Sequence, residues 1–89
     1  MTIKKHILNS LADGRDIGEC EIQIQGYLEE FFEHVSYEVI REKISELVVE
    51  KMIYDTGCFG PKKLPMYAMT KEGWEAWKKI DWPEEENMP

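Results

Sequence analysis

Five polar side chains recur at helical spacing in the middle of the chain, on the side opposite an apolar stripe. The stripe is Ile40, Ile44, Leu47 and Val48, and the polar positions are Tyr37, Glu38, Arg41, Glu42 and Ser45. An arginine can pair with a guanine edge, a serine can bond to several bases, and a tyrosine can contact a phosphate or a thymine methyl group. A glutamate can accept from cytosine N4, but two glutamates on one face repel phosphates. The pattern fits a nucleic-acid-binding face and, equally well, a solvated helix face.

Lys62 and Lys63 are a second candidate for contact with nucleic acid. They follow Gly60-Pro61 in the stretch T-G-C-F-G-P-K-K-L-P, whose glycines and prolines predict a hairpin loop. Lysines that project from a hairpin can reach a phosphate backbone or a minor groove. The alternative is that the two charges only keep an exposed strand edge soluble.

No group of residues points to catalysis, to a cofactor or to a metal ion. The sequence shows no Ser/His/Asp or Cys/His arrangement and no glycine loop of the type that holds phosphates. The four side chains that could bind zinc stand singly, without paired spacing; they are His6, Cys20, His34 and Cys58. We therefore expect a protein that is not an enzyme, needs no cofactor and keeps its two cysteines as free thiols.

The first third of the sequence predicts a helix, a short strand and a second helix. Thr2 caps the first helix and Asp13-Gly14 ends it. Its apolar stripe is Ile3, Ile7, Leu8 and Leu11. Cys20–Gln25 alternates apolar and polar side chains, which favours a strand, with an early start of the next helix as the alternative. Gly26–Glu33 fits a short helix, with Leu28, Phe31 and Phe32 as its buried side chains.

The rest of the sequence predicts a helix, a hairpin and a last helix. His34-Val35 makes a turn about one residue longer than is usual between paired helices, and Ser36 caps a helix from Tyr37 to about Glu50. Met52–Asp55 and Met66–Met69 are β-prone and flank the hairpin loop, and Thr70 caps the last helix. The predicted core joins the third helix to the first two; its members are Ile40, Ile44, Leu47, Leu8, Leu28 and Phe32.

Two stretches of this pattern resemble the second half of a winged helix-turn-helix domain. They are V-S-Y-E-V-I-R-E-K-I-S-E-L-V-V-E-K-M-I at Val35–Ile53 and Y-A-M-T-K-E-G at Tyr67–Gly73, and they are similar to regulators of the MarR and PadR kind. The resemblance implies an α+β fold at residues 1–80, with a three-helix core, a two- or three-stranded β-wing and a C-terminal helix. It also implies a transcriptional regulator that binds double-stranded DNA. The residues that would contact DNA are Ser36, Tyr37, Arg41, Ser45, Lys62 and Lys63.

The charge of the chain opposes strong DNA binding by a single copy. The net charge is −7, and of the four segments 1–35, 36–51, 52–73 and 74–89 only 52–73 has a positive balance, with three basic and two acidic side chains. DNA affinity rests largely on cations that contact phosphates, so we expect a homodimer that doubles those contacts. Two alternatives remain open. One is an acidic winged-helix module that binds a protein instead of DNA, and the other is a phage-type decoy whose carboxylates imitate phosphates.

Three tryptophans near the end of the chain are the candidate protein interface. Trp74 and Trp77 lie on one face of the last predicted helix, and Trp82 follows in an acidic tail at 81–89 that we expect to be disordered. A chain of 89 residues has little room to bury three indoles. We expect Trp74 in the core and Trp77 or Trp82 at an interface. No secretory signal and no apolar run long enough for a membrane span is found, which predicts a cytoplasmic protein.

Overall fold

The computed structural model describes residues 3–14 and 18–79, which form an α+β fold with four α-helices and a two-stranded antiparallel sheet. The helices are α1 (Ile3–Gly14), α2 (Glu21–Leu28), α3 (Tyr37–Val49) and α4 (Lys71–Lys78), and the strands are β1 (Ile53–Phe59) and β2 (Pro65–Met69). A 3-10 turn at Pro61–Lys63 joins the strands. None of the helices in these two ranges has the length and apolar character needed to cross a membrane. The predicted cap Thr2 and the predicted tail at 81–89 lie outside the described residues.

The core lies where α1, α2 and α3 meet the hairpin. Its buried side chains are Ile7, Leu8, Leu11, Ile24, Leu28, Val35, Ile40, Ile44, Leu47, Ile53 and Met69. The predicted stripes of α1 and α3 are confirmed, except that Ile3 is only partly buried and Val48 is 40% exposed. Val48 follows Ile44 by one turn, but it lines a surface groove beside Asp55 and Tyr67 instead of packing under β1. Phe32, expected in the core, is only partly buried against it.

The strand predicted at Cys20–Gln25 is wrong, because α2 begins at Glu21. Cys20, Ile24 and Leu28 are all fully buried, and their four-residue spacing places them on one side of a helix. The Gln23 side chain supports the start of α2, since its Oε1 accepts from the Cys20 N–H at 2.9 Å. The four-residue spacing of apolar side chains extends from Cys20 to Leu28, whereas the alternation covers only Ile22 and Ile24. The longer pattern is the helical one, and it matches the observed structure.

A trace of strand pairing remains just before α2. Glu19 forms an isolated antiparallel bridge with Tyr67 of β2, with N···O distances of 2.9 and 2.8 Å. Gly18 permits this approach, because its φ is +84° and a Cβ there would lie 2.6 Å from the Tyr67 carbonyl oxygen. The Glu19 side chain accepts a hydrogen bond from Ser10 of α1. Burial raises the pKa of the Glu19 carboxyl, although the Ser10 hydrogen bond opposes the effect.

The connection between α2 and α3 is longer than predicted. Helix α2 ends at Leu28, so residues 29–36 separate the two helices and the helix predicted up to Glu33 stops early. Phe31 is exposed and not buried as predicted, although its ring stacks 4.4 Å from the buried His6 ring. The Gln25 amide donates to the Val35 carbonyl at 3.0 Å and so holds the connection against α2.

Helix α3 has well-defined ends. The Val39 N–H donates to Ser36 Oγ at 3.3 Å, which confirms the predicted cap. At the other end, the Met52 N–H donates to the Leu47 carbonyl at 2.9 Å and Lys51 takes a φ of +62°. This is a Schellman ending with lysine in the position that glycine usually occupies. It turns the chain directly into β1.

The hairpin is longer than the sequence predicts. Pairing runs from Ile53 opposite Met69 to Phe59 opposite Pro65, with a register irregularity between Asp55 and Phe59. The irregularity contains Gly57, whose φ is +83° and whose N–H donates to Asp55 Oδ1 at 2.8 Å. The sequence of residues 56–59 is typical of a loop because it contains Gly57. In the structure this glycine belongs to an irregularity inside β1.

Helix α4 closes the fold over the start of β1. Thr70 caps it as predicted, since the Gly73 N–H donates to Thr70 Oγ1 at 2.9 Å. Gly73 lies against the Met52 carbonyl oxygen, which a Cβ would overlap. The absence of a side chain at Gly73 therefore lets α4 approach the backbone just before β1. Trp74 is partly buried instead of fully buried, with its ring 5.7 Å from that of Trp77 at an interplanar angle of 89°.

Candidate nucleic-acid interface

A groove of about 190 Å³ runs between the start of α3 and the tip of the hairpin. We call it the wing groove; its walls are Glu21, Ile22, Tyr37, Arg41, Lys62 and Leu64. Three of these side chains are predicted nucleic-acid contacts that come from two separate parts of the sequence. The fold brings Tyr37 and Arg41 of α3 to the same groove as Lys62 of the hairpin.

Arg41 is held in the wing groove by a carboxylate from another helix. Its Nε donates to Glu21 Oε2 at 2.8 Å, and the Glu21 side chain is only 10% exposed while that of Arg41 is 63% exposed. The planar guanidinium carries further N–H donors on its two terminal nitrogens. Because Nε is engaged by Glu21, the terminal nitrogens are the ones that an incoming ligand can use.

Tyr37 and Ser36 form the entrance of α3 beside this arginine. The Arg41 guanidinium carbon lies 5.9 Å from the centre of the Tyr37 ring, a distance typical of a cation–π contact. Tyr37 also packs against the core, so its ring is a fixed wall of the groove. Ser36 uses its hydroxyl oxygen to cap the helix, which leaves the hydroxyl hydrogen as its remaining donor.

The hairpin tip presents its two lysines on an unusual backbone. Lys62 and Lys63 are both exposed and both have positive φ, at 57° and 60°. L-residues other than glycine, asparagine and aspartate rarely adopt this region. The tight turn is closed by hydrogen bonds from the Gly60 N–H to Leu64 at 2.8 Å and from the Lys63 N–H to Gly60 at 3.0 Å. The exposed hairpin tip is as predicted, and only Lys62 faces the wing groove.

Ser45, also predicted to contact nucleic acid, lies on a different surface. It lines two grooves, of about 500 Å³ and about 400 Å³, at the C-terminal half of α3. Val49 also lines both grooves and is 81% exposed, and Val48 lines the second. We call this region the valine surface; it comprises Ser45, Val48 and Val49 with the acidic side chains around them, Glu42, Glu46, Glu50 and Asp55.

Two lysines partly neutralise the acids of the valine surface. Lys4 of α1 lies 3.1 Å from Glu46 and 2.9 Å from Glu50, and Lys43 lies 3.5 Å from Glu46. The hydrogen bond from Lys4 lowers the pKa of the Glu46 carboxyl, so Glu46 is ionised at neutral pH. On the other side, burial and the nearby Asp55 carboxylate raise the pKa of the Tyr67 hydroxyl. The four carboxylates of the valine surface outnumber the two ammonium groups that contact them.

The predicted interface at the last helix is described only in part. Trp77 is partly buried against the core, and its Nε1–H donates to Asn9 Oδ1 of α1 at 3.3 Å. The same Asn9 side chain donates to the Tyr27 hydroxyl of α2, so one amide connects three helices. Trp82 lies outside the described residues. An interface at Trp77 and Trp82 stays a prediction.

The histidines and cysteines are not among the residues that line either surface. His6 is buried among the rings of Tyr27, Phe31 and Phe32, whereas His34 is exposed near Glu29. Cys20 is buried, Cys58 is exposed, and both are free thiols. Within residues 3–14 and 18–79, no three His, Cys, Asp or Glu side chains are arranged to hold a metal ion.

Glu21 is the site residue that the sequence did not reveal. Within a strand at Cys20–Gln25 it would have been one of several solvent-facing polar residues, but at the first turn of α2 it reaches Arg41. The available signal was Gln23, three residues after Cys20, a spacing typical of a helix start.

Comparisons of the chain with protein-family models, with curated proteins and with solved structures gave no match, so the role of the wing groove is inferred from its own residues and distances.

Proposed function

We propose that this protein is a small winged helix-turn-helix transcriptional regulator that binds double-stranded DNA through the N-terminal end of α3 and the hairpin tip. The observation that carries the proposal is the convergence of Tyr37, Arg41 and Lys62 on the wing groove. Residues 37–41 and residue 62 are separated in the sequence by the rest of α3 and by β1.

The order of elements supports the winged-helix part of the proposal. Three helices are followed by a hairpin and a fourth helix, and the bridge between Glu19 and Tyr67 stands where a third strand would pair with the hairpin. In such a domain α3 is the recognition helix and the hairpin is the wing. The eight-residue connection at 29–36 is longer than a compact helix-turn-helix turn of three or four residues.

The chemistry of the groove suits a polyanion at this end of α3. Glu21 is paired with Arg41, so Lys62 and Lys63 add cationic charge that the groove itself does not neutralise. Phosphate contacts from the wing would fix the domain on the duplex. The terminal nitrogens of Arg41 would then reach a guanine edge in the major groove. Two copies paired through α4 would double these contacts, which a net charge of −7 makes necessary.

The test is the salt dependence of binding to a fluorescein-labelled, mixed-sequence 30-bp duplex, followed by anisotropy at three salt concentrations. Lys62→Asn/Lys63→Asn removes both charges and keeps a residue that tolerates positive φ. The slope of log affinity against log salt should fall by about two for each bound copy, because each lost phosphate contact removes about 0.9. Lys51→Asn, which changes an exposed lysine with the same positive φ at the other end of α3, is the matched control and should leave the slope unchanged.

Equal slopes in the parent and the Lys62/Lys63 variant would remove the wing from the interface. A parent that shows no binding at low salt would refute the DNA proposal as a whole. Selection of preferred duplexes from a random pool, together with sedimentation of the complex, then tests the regulator and dimer parts of the proposal.

A further inference from the structure

The valine surface is an apolar ridge that the fold leaves in water. Val49 is 81% exposed in the middle of two adjoining grooves, and Val48 beside it is 40% exposed. A helix that packs on a core normally turns charged or polar side chains to solvent at these positions. Single exposed apolar residues are common, but here two adjacent valines lie between grooves of about 500 and 400 Å³.

Carboxylates border the ridge on both sides. Glu42, Glu46 and Glu50 follow one another at four-residue intervals along one groove, and Asp55 of β1 stands at the other. Lys4 contacts Glu46 and Glu50, and Lys43 lies 3.5 Å from Glu46 and 3.8 Å from Glu42. The Glu42 side chain is still 67% exposed and Asp55 is exposed, so these two carboxylates are accessible to a new partner on either side of the ridge. Asp55 already accepts from the Gly57 N–H, which fixes its orientation.

The charge around the ridge determines which occupants are compatible with it. A second copy that packed its own valine surface against this one would bring two sets of acids together, since such contacts are isologous. DNA and anionic membranes are repelled for the same reason. A partner with apolar side chains flanked by lysine or arginine can pack against the valines and pair its cations with the carboxylates.

We propose that the valine surface binds a basic amphipathic helix of a partner protein. The apolar stripe of that helix packs against Val48 and Val49, and its basic side chains pair with Glu42 on one side and Asp55 on the other. This site is separate from the wing groove and does not depend on DNA binding. It also differs from an interface at the tryptophans of the last helix, because it uses α3 and β1.

The experiment uses a synthetic 14-residue peptide with a leucine stripe flanked by lysines, added to uniformly ¹⁵N-labelled protein without DNA. Amide shift changes should concentrate at residues 42–50 and 53–56 and give a saturating curve. Val49→Ser should weaken binding at least five-fold. Phe59→Ser is the matched control, because Phe59 is 70% exposed and lies in β1 away from these grooves, and it should bind as the parent does.

A second comparison separates shape from charge. A peptide of the same composition with its leucines scrambled carries the same charge but no stripe, and it should bind at least five-fold more weakly. Glu42→Gln should weaken binding of the striped peptide, whereas Glu72→Gln, on the exposed first turn of α4, should not. Equal binding of both peptides, parent-like binding by Val49→Ser, or a self-association that Val49→Ser abolishes would each overturn the proposal.

Discussion

The two ends of α3 share one solvent-facing side but differ in chemistry. At the N-terminal end, Tyr37 and Arg41 face a groove closed by α2 and by Lys62 of the hairpin. At the C-terminal end, Val48 and Val49 are exposed among carboxylates, with α1 and β1 beside them. One end suits an anionic ligand and the other a cationic one.

The difference arises from the elements packed beside each end. The acid nearest to Arg41 is Glu21, which is almost buried and paired with that arginine. The acids near Val49 are exposed or, at Glu46, half-exposed, and the lysines that reach them come from α1 and from α3 itself. The periodicity of a helix therefore indicates which side faces water, whereas its neighbours decide what each part of that side can bind.

The largest expected effect comes from removing the support that both ends share. Ile44 is 4% exposed and lies midway along the buried stripe of α3. Ile44→Ala should lower the free energy of unfolding by about 2–4 kcal/mol, because it removes buried methyl groups and leaves a cavity. Urea denaturation followed by circular dichroism measures the change. Val48→Ala, a matched truncation at a half-exposed position, should cost less than about 1 kcal/mol. A reversed order of the two variants would mean that α3 is rotated and that the two surfaces are wrongly assigned.

The sequence predicts which side of α3 faces the core better than it predicts which residues of other elements lie beside the helix. Local rules of spacing predict the buried positions Ile40, Ile44 and Leu47, which are confirmed. Local rules of capping predict Ser36 at the start of α3 and Thr70 at the start of α4, and both caps are confirmed. The pairing of Glu21 with Arg41 spans twenty residues and depends on where α2 begins. Val48 belongs to the predicted stripe but is 40% exposed, and it lines a groove with Asp55 and Tyr67, which are distant in the sequence. Local periodicity carries no information on either point.

A crossed pair of variants gives the next largest effect and tests the division between the two ends directly. On a duplex selected from a random pool, Arg41→Gln should lower affinity by about five-fold or more, because a good arginine–guanine pair contributes roughly 1–3 kcal/mol. The same variant should bind the striped lysine–leucine peptide as the parent does. Val49→Ser should show the opposite pattern, with duplex affinity changed less than about two-fold.

The Arg41 variant needs a control for folding, since it removes the partner of a nearly buried carboxylate. Glu21→Gln/Arg41→Gln leaves two neutral amides that can hydrogen-bond to each other and should recover the melting temperature without recovering duplex affinity. Recovery of affinity as well would mean that Arg41 acts only through stability. If Arg41→Gln or Val49→Ser abolished binding of both the duplex and the striped peptide, the two ends of α3 would form one site.

The smallest expected effect concerns the acids of the valine surface and their dependence on pH. The hydrogen bond from Lys4 lowers the pKa of the Glu46 carboxyl. The pKa of the Lys4 ammonium is raised, mainly by its hydrogen bond to Glu50 and to a smaller extent by its hydrogen bond to Glu46. A carboxyl whose pKa is lowered by folding stabilises the protein above the pH at which a free glutamate titrates, and this contribution is lost as the pH falls through the lowered value. The Glu46 side chain is 39% exposed and its ion pair is screened by solvent, so the contribution is small.

Lys4→Met removes the ammonium but keeps an unbranched apolar stem of similar length. The pKa of Glu46 should then rise towards its ordinary value, though not fully, because Lys43 remains 3.5 Å away. Carboxyl ¹³C shifts followed from pH 2 to 7 measure this change. With two acids released, the striped peptide should bind about two-fold more tightly at pH 7, and the gain should disappear as the carboxyls become protonated. Duplex affinity should change little, since Lys4 lies at the other end of α3 from the wing groove. A Glu46 titration unchanged by Lys4→Met would show that the contact between α1 and α3 does not control the charge of the valine surface.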